Sequence, residues 1–208
     1  MLCPLKHLLA TKRIVLASGS PRRKELVQNM GLNAELCPSI FEENLDPADF
    51  NDFSSFVEET ALGKAEEVYG RLAKESEHPP DLVIAADTMV ALGEKIFGKP
   101  KTPEEAFETL NELVGKQHVV YTGVVLKHPR GMRRFTETTK VFFGQASPEQ
   151  IQAYVDTGEP MDKAGGYGIQ GIGATMIERI EGDYFTVMGL PLYRLSREIC
   201  DIFGYQIK

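Results

Sequence analysis

The first clear pattern of apolar positions is the run Ile14-Val15-Leu16-Ala17, which is short and begins with two β-branched residues. Because the turn-forming sequence Ser18-Gly19-Ser20-Pro21 follows it, this run predicts a buried strand that enters a turn. A helix is predicted next, since Ser20 is a good N-cap, Pro21 suits the first helical position and Gly31 supplies a C-terminal stop. The chain therefore opens with a strand, a turn and a helix.

A second helix and strand follow in the same order. Apolar residues recur at helical spacing through residues 53–73, which predicts an amphipathic helix. The compact apolar run of residues 82–86 predicts a buried strand. Asp87-Thr88 is expected at the end of that strand, with a separate apolar segment at residues 89–92.

The second half of the chain contains predicted hairpins as well as helices. Thr102-Pro103-Glu104-Glu105 and Ser147-Pro148-Glu149-Gln150 both match the capping box that begins a helix. Between them, the alternating residues 119–127 and 134–143 predict a β-hairpin, and a second hairpin is expected to turn at Glu181-Gly182. The last predicted helix places four apolar residues on one face: Leu192, Leu195, Ile199 and Phe203.

Alternating strands and helices followed by hairpins predict an α/β fold with a mixed twisted central sheet flanked by helices. A length of 208 residues permits one large domain or two small ones. We interpret residues 13–208 as a single domain, preceded by an N-terminal extension of residues 1–12.

Charge and composition argue against several classes of partner. The net charge of -7 argues against a nucleic-acid polymer, because proteins that bind one usually carry a basic excess. No apolar run approaches the ~20 residues of a membrane-spanning helix, so no membrane partner is expected. The three widely spaced cysteines fit a reducing compartment and give no zinc signature. These features predict a cytoplasmic protein.

Three basic residues, Arg22-Arg23-Lys24, fall in the first turn of the predicted helix, where the helix dipole disfavours cations. An anionic ligand would compensate them, since amides at a helix start and bidentate guanidinium groups both suit phosphate oxygens. The alternative is a solvated basic helix start without a ligand.

Two further charged residues interrupt apolar patterns. Lys64 falls on the apolar stripe of its helix, so it either reaches into a cleft or extends past small neighbours to water. Asp87 follows five apolar residues, and an acid at the carboxyl end of a buried strand is typical of a ligand or metal site. A turn or capping aspartate is the alternative. Judged alone, Glu42, Glu43 and Lys99 are ordinary loop residues.

Five short motifs occur in order along the chain. They are Ser18-Gly19-Ser20-Pro21-Arg22-Arg23, Ala86-Asp87-Thr88, Gly98-Lys99-Pro100, Gly115-Lys116-Gln117-His118 with Thr122-Gly123, and residues 162–171. With these motifs the chain resembles the Maf family of nucleotide pyrophosphatases from about residue 13 to residue 205. The chain also resembles the Maf-like portion of longer methyltransferase-like proteins, which would make it part of something longer. The resemblance implies an ITPase-like fold with a cleft between two lobes, and a homodimer.

The resemblance implies hydrolysis of dTTP and UTP to nucleoside monophosphate and pyrophosphate with Mg²⁺ or Mn²⁺. Asp87 matches the family's catalytic aspartate, and Lys64 and Lys99 match phosphate contacts of the catalytic site. Glu43 matches the loop acid associated with the metal, so Glu43 and Asp87 are the expected metal ligands. Here Glu42-Glu43 replaces the usual Asp-Glu pair.

The resemblance also implies that six residues bind the nucleoside triphosphate substrate. A glutamine amide presents a donor and an acceptor side by side, which suits uracil and thymine, although a flipped amide would suit cytosine. The six expected substrate-binding residues are Ser18, Ser20, Arg22, Arg23, Thr88 and Gln170.

His118 lies in an alternating strand, and we interpret it as a satisfied structural histidine.

Two other functions are compatible with the same residues. A non-catalytic module could bind or sense nucleotides with the same pocket, although intact carboxylates argue against it. A phosphatase or kinase of another family could also use a basic helix start and an aspartate beside a strand. Pyrophosphate as a product distinguishes the pyrophosphatase from both.

Overall fold

A computed structural model describes residues 1–75 and 77–205, so Ser76 and residues 206–208 of the predicted domain lie outside the described residues. The strands are β1 (Ile14–Leu16), β2 (Glu35–Leu36), β3 (Leu82–Leu92), β4 (Lys95–Phe97), β5 (Gln117–His128), β6 (Gly131–Phe143) and β7 (Ile177–Glu181). The helices are α1 (Lys6–Leu9), α2 (Pro21–Asn29), α3 (Phe53–Glu75), α4 (Pro103–Leu113), α5 (Pro148–Val155), α6 (Tyr184–Met188) and α7 (Leu192–Ile202).

The strands form the predicted mixed sheet. Their hydrogen-bonded order is β2-β1-β3-β5-β6-β7, and β4 pairs with β3. Strand β1 is parallel to both β2 and β3, whereas β3 is antiparallel to β4 and β6 is antiparallel to β7. The mixed sheet and the hairpin of β5 and β6, which are joined by a two-residue turn, are therefore confirmed.

The chain divides into two compact units. The first unit contains residues 1–87, 122–136 and 189–208, and the second contains residues 88–121 and 137–188. In the first unit, the N-terminal segment packs through buried Leu2, Leu5 and Leu9. The interpretation of residues 13–208 as one domain stays a prediction.

The core of the first unit lies between helix α3 and the strands β1, β3 and β5. The approach of α3 to β5 is close, because a β-carbon added at Gly123 would lie 2.6 Å from the backbone of Val57. Small side chains on both surfaces permit this distance. The buried residues of this core are Val15, Ala17, Ala61, Ala65, Val68, Leu72, Val83, Ala85 and Val125.

The core of the second unit gathers apolar residues from α4, α5, β5 and β6 with Tyr167. Helix α5 begins at the predicted capping box, because Ser147 Oγ accepts from the Gln150 N–H and the Gln150 side chain accepts from the Ser147 N–H. The box predicted at Thr102 forms only in part. Its hydroxyl accepts from the Glu105 N–H, but the Glu105 carboxylate accepts from the Lys101 N–H at 2.8 Å instead.

The prediction that a strand ends at Asp87 is wrong. Strand β3 runs without interruption from Leu82 to Leu92, so Asp87-Thr88 lies inside it. A half-buried carboxylate is tolerated there because a lysine ammonium lies 2.8 Å from it, and polar residues within an apolar pattern had suggested a break.

The predicted second hairpin is also wrong. Strand β7 ends at Glu181, and helix α6 begins three residues later at Tyr184. The Asp183 carboxylate accepts hydrogen bonds from the N–H and the hydroxyl of Thr186 at 2.9 and 3.1 Å. This local cap favours a helix start after Gly182.

Among residues 1–75 and 77–205, no helix combines the length and the apolar character that crossing a bilayer requires.

Candidate active site

The turn between β1 and α2 is held by its own serine side chains. Ser18 Oγ accepts from the Ser20 N–H at 3.2 Å, and Ser20 Oγ accepts from the Arg23 N–H at 3.5 Å as the N-cap of α2. Pro21 occupies the first helical position. The predicted N-cap is confirmed, and both serines shape the backbone of the turn.

Arg23 joins this turn to strand β3 and to the start of the last segment of the first unit. Its Nη1 donates to the carbonyl of Ala86 at 2.8 Å and to Ser18 Oγ at 3.4 Å, while its Nε donates to the carbonyl of Gly189 at 2.8 Å. Burial lowers the pKa of the Arg23 guanidinium, and the nearby Asp87 carboxylate opposes that change. Arg23 therefore fixes the backbone immediately before Asp87.

Two carboxylates converge on the ammonium group of Lys64. Lys64 Nζ lies 2.8 Å from Asp87 Oδ1 and 3.0 Å from Glu43 Oε1. The side chains of Lys64 and Asp87 are only 12% and 16% exposed, whereas Glu43 is 56% exposed. The position of Lys64 on the apolar stripe is explained by its ammonium group, which meets the half-buried Asp87 carboxylate and the more exposed Glu43 carboxylate.

The loop before Glu43 is fastened to the same helix that carries Lys64. The Glu67 carboxylate accepts from the Ser39 hydroxyl and the Ile40 N–H at 2.9 and 3.1 Å. The ring of Phe41 occupies the space where a β-carbon at Gly63 would lie only 2.4 Å away. These contacts on α3 explain how an exposed loop acid reaches a lysine 21 positions later in the chain.

The donor set fits a divalent cation that is shared with a phosphate ligand. Mg²⁺ usually binds through one or two carboxylates, with water and substrate phosphate completing its coordination. Glu43 and Asp87 supply two carboxylates within about 3 Å of one shared cationic group. Across the part of the chain that the structure describes, no three His, Cys, Asp or Glu residues form a closed metal cluster. A cation held jointly with substrate is consistent with both observations.

Three of the predicted site residues belong to the second unit. Thr88 is half-buried in β3, Lys99 is exposed after β4, and Gln170 is exposed in a turn. The Gly98 carbonyl accepts from the Gly165 N–H at 3.0 Å, so the Gly98-Lys99-Pro100 motif contacts the motif of residues 162–171. The structure thus brings these two sequence motifs together.

His118 is buried, as expected of a structural histidine, but it is satisfied at only one nitrogen. His118 Nε2 lies 2.8 Å from the Tyr167 hydroxyl, and both rings pack edge-on against Phe143. Within residues 1–75 and 77–205, His118 Nδ1 has no hydrogen-bond partner. Burial lowers the pKa of His118 to about 4, which keeps the ring neutral near pH 7.

Sequence reasoning missed Tyr154 and Glu159, which bind the backbone beside Gln170. The Glu159 carboxylate accepts from the Tyr154 hydroxyl and from two backbone N–H groups near residue 172. The many glycines in residues 165–173 could have indicated these contacts, because glycine often marks a place where other groups approach the backbone closely.

Sequence comparisons agree with the motifs. A family model described as "Maf-like protein" matches residues 13–202. A human "probable bifunctional dTTP/UTP pyrophosphatase/methyltransferase protein" is 42% identical over 98% of this chain, which spans only 34% of that relative. A dTTP/UTP pyrophosphatase of Geobacillus sp. (strain WCH70) is 45% identical over 90% of this chain and 97% of its own length. One of Gloeobacter violaceus is 45% identical over 88% and 92%.

A solved structure supports the fold. The Ham1 protein of Staphylococcus aureus aligns with a TM-score of 0.51 and 17% identity, covering 93% of this chain and 98% of that protein. At this level of identity the likeness concerns the arrangement of strands and helices alone, and it agrees with the predicted ITPase-like sheet.

Proposed function

Because the chain belongs to the Maf-like protein family, we propose that it is a nucleoside triphosphate pyrophosphatase acting on dTTP and UTP. The products are nucleoside monophosphate and pyrophosphate. The observation that carries this proposal is the convergence of Glu43 and Asp87 on the Lys64 ammonium. Two carboxylates and a lysine ammonium are groups that can hydrolyse a charged phosphate chain, since they can bind a metal ion, accept a proton and neutralise phosphate charge.

In this mechanism, water attacks the α phosphorus, and the bond from that phosphorus to the oxygen bridging to the β phosphate breaks. Asp87 accepts the proton of the attacking water. Lys64, Lys99 and Arg22 neutralise phosphate charge and align the triphosphate for attack. Arg23, which donates to the Ala86 carbonyl, holds the backbone that carries Asp87.

The cation of this reaction is proposed to be Mg²⁺ or Mn²⁺, with Glu43 and Asp87 as its protein ligands. When bound, it would supply charge neutralisation on the triphosphate and on the departing pyrophosphate. Lys64 and the cation would then compete for the same two carboxylates. The long lysine side chain can turn away from them and contact a substrate phosphate.

The base is proposed to be read by Thr88 and Gln170. An exposed glutamine amide can donate to a carbonyl and accept from the ring N–H of uracil or thymine. Ser18 and Ser20 belong to the turn that is proposed to bind phosphate. Their hydroxyl oxygens hold the backbone of this turn by accepting from the N–H groups of Ser20 and Arg23. A flipped amide would accept cytosine. CTP and modified pyrimidine nucleotides are therefore further proposed substrates.

The substitution Asp87→Asn tests the proposal with little change in shape. Loss of the proton acceptor is expected to lower kcat with UTP by about a hundredfold to ten-thousandfold, while UTP still binds. Release of uridine monophosphate and pyrophosphate with Mg²⁺ is measured by chromatography. Orthophosphate as the first product would contradict the proposal, and nucleotide binding without turnover by both forms would favour the sensing module.

The predicted homodimer and cytoplasmic location are retained as part of this proposal. Light scattering on the purified chain tests the first, with twice the 23.1 kDa of one chain as the expected mass.

A further inference from the structure

Gln170 lies in a short turn whose two ends are both glycines. The Gly171 N–H donates to the Gly168 carbonyl at 3.2 Å, which closes a turn with Ile169 and Gln170 at its centre. Ile169 is buried and Gln170 is exposed. The position of the glutamine amide is therefore set by what holds residues 168 and 171.

Both ends of this turn are held by one pair of side chains. The Tyr154 hydroxyl accepts from the Gly168 N–H at 3.2 Å and donates to Glu159 Oε1 at 2.9 Å. The same carboxylate accepts from the Ile172 N–H at 2.9 Å and the Gly173 N–H at 3.0 Å. Tyr154 and Glu159 thus bind the backbone on each side of Gln170.

The glycines of the turn are required by the closeness of this pair. A β-carbon at Gly171 would lie 2.5 Å from both carboxylate oxygens of Glu159, and one at Gly173 would lie 2.6 Å from the Tyr154 hydroxyl. A β-carbon at Gly168 would lie 3.0 Å from Glu159 Oε1. Only glycine lets the backbone come this close to the two side chains.

The charge of Glu159 is maintained by its partners. Burial raises the pKa of this carboxyl, but the N–H groups of Gly173 and Ile172 and the Tyr154 hydroxyl outweigh burial, so the pKa is lowered overall. An ionised carboxylate accepts several hydrogen bonds at once and makes stronger ones than a neutral acceptor. The connection is therefore stiff near neutral pH.

We infer that Tyr154 and Glu159 are positioning residues that set the direction of the Gln170 amide and so determine pyrimidine recognition. The inference rests on the proposed function for the identity of the ligand. Neither side chain touches the base. Both act through the turn, and loss of either should weaken the contribution of the base to binding while leaving that of the phosphates intact.

The experiment compares two probes, UTP and pyrophosphate, in wild type and Glu159→Gln. The glutamine keeps the size of the side chain, but its NH₂ group replaces one of the two carboxylate oxygens. That NH₂ group then faces a backbone N–H, and the hydrogen bond that the oxygen accepted is lost. Binding is measured by calorimetry with Mg²⁺ in an Asp87→Asn background, which prevents turnover. We expect UTP to bind about tenfold to a hundredfold more weakly, because small misplacements of a recognition group have effects of this size. Pyrophosphate affinity should change less than about twofold.

Three further variants separate positioning from general damage. Gly171→Ala should reproduce the loss of UTP affinity, since its methyl group must displace the Glu159 carboxylate. Asp156→Asn is the matched control, because it removes one exposed carboxylate three positions away that bonds Gln152 instead. Combining Tyr154→Phe with Glu159→Gln should weaken UTP binding by less than the product of the single effects, since the two residues act together.

Unchanged UTP affinity in Glu159→Gln would overturn the inference, as would equal losses for UTP and pyrophosphate. Wild-type turnover is measured in parallel. A wild type that binds UTP but releases no pyrophosphate would overturn the proposed function and leave the comparison of the two affinities intact.

Discussion

At the scale of single residues, His118 illustrates how burial decides chemistry. A histidine in an alternating strand is compatible with catalysis, with metal binding or with the core. The structure places it at 1% exposure against Tyr167 and Phe143. Its only polar contact in the described chain is with the Tyr167 hydroxyl, so it acts as an uncharged core residue.

This burial predicts a pH dependence of stability. The pKa of His118 is about 4 in the folded chain, whereas a histidine in the unfolded chain titrates near 6.5. Between these values the unfolded state binds one more proton, so stability is retained above about pH 6.5 and falls as the pH decreases towards 4. The loss from this residue reaches at most about 3 kcal/mol.

Urea unfolding of wild type and His118→Leu between pH 4.5 and 7.5 measures this loss. The variant is expected to be less stable at pH 7.5, because the Tyr167 hydroxyl loses its partner. The difference in stability should shrink or reverse as the pH falls. Parallel curves for the two proteins would show that His118 does not titrate as described.

At the scale of elements, the position of Glu43 depends on how residues 37–43 lie along α3. No repeat or capping pattern in this segment fixes that position. It is set by Glu67 bound to Ser39 and Ile40, by Arg71 bound to the Pro38 carbonyl at 3.1 Å, and by the ring of Phe41 at Gly63. The position of residues 37–43 is therefore set by contacts with α3, which follows them in the chain.

Gly63→Ala tests this arrangement. A methyl group 2.4 Å from the Phe41 ring should displace the segment, lower stability by about 1–3 kcal/mol and raise the Mg²⁺ concentration needed for half-maximal activity. Gly70→Ala in the same helix is the control, because its β-carbon meets nothing within 4 Å. It should stabilise the protein by about 1 kcal/mol. Similar effects of the two substitutions on the Mg²⁺ dependence would argue against the role of Phe41.

At the scale of the whole molecule, substrate binding should be linked to stability. A ligand that binds only the folded chain stabilises it by about 2.7 kcal/mol at a hundred times its Kd. In Asp87→Asn, UTP with Mg²⁺ should therefore raise Tm progressively with concentration, and ATP should raise it less at equal concentration. Differential scanning fluorimetry measures both. A Tm that UTP leaves unchanged at millimolar concentration would contradict nucleotide binding by this chain.

Much of the fold could be predicted because its signals are local. The strand before Ser18, the cap at Ser20, the long helix α3 and the capping box at Ser147 each depend on a few neighbouring residues. One error arose where a distant group changed a local preference, and the other where a local helix cap was overlooked. Asp87 stays inside β3 because Lys64 lies against it, and Asp183 begins a helix where Glu181-Gly182 alone suggested a turn between strands.

The sequence by itself determined the family and many of the helices and strands, and it supplied the residue types proposed to bind a phosphate chain, since motifs and periodicity are properties of the chain order. Only the tertiary structure decided that Lys64 bridges Glu43 and Asp87, and that Tyr154 and Glu159 hold the turn around Gln170. Apart from the bond of Tyr154 to Glu159, these contacts join residues 13 or more positions apart in the sequence. Their energies depend on burial and distance, which no local pattern encodes.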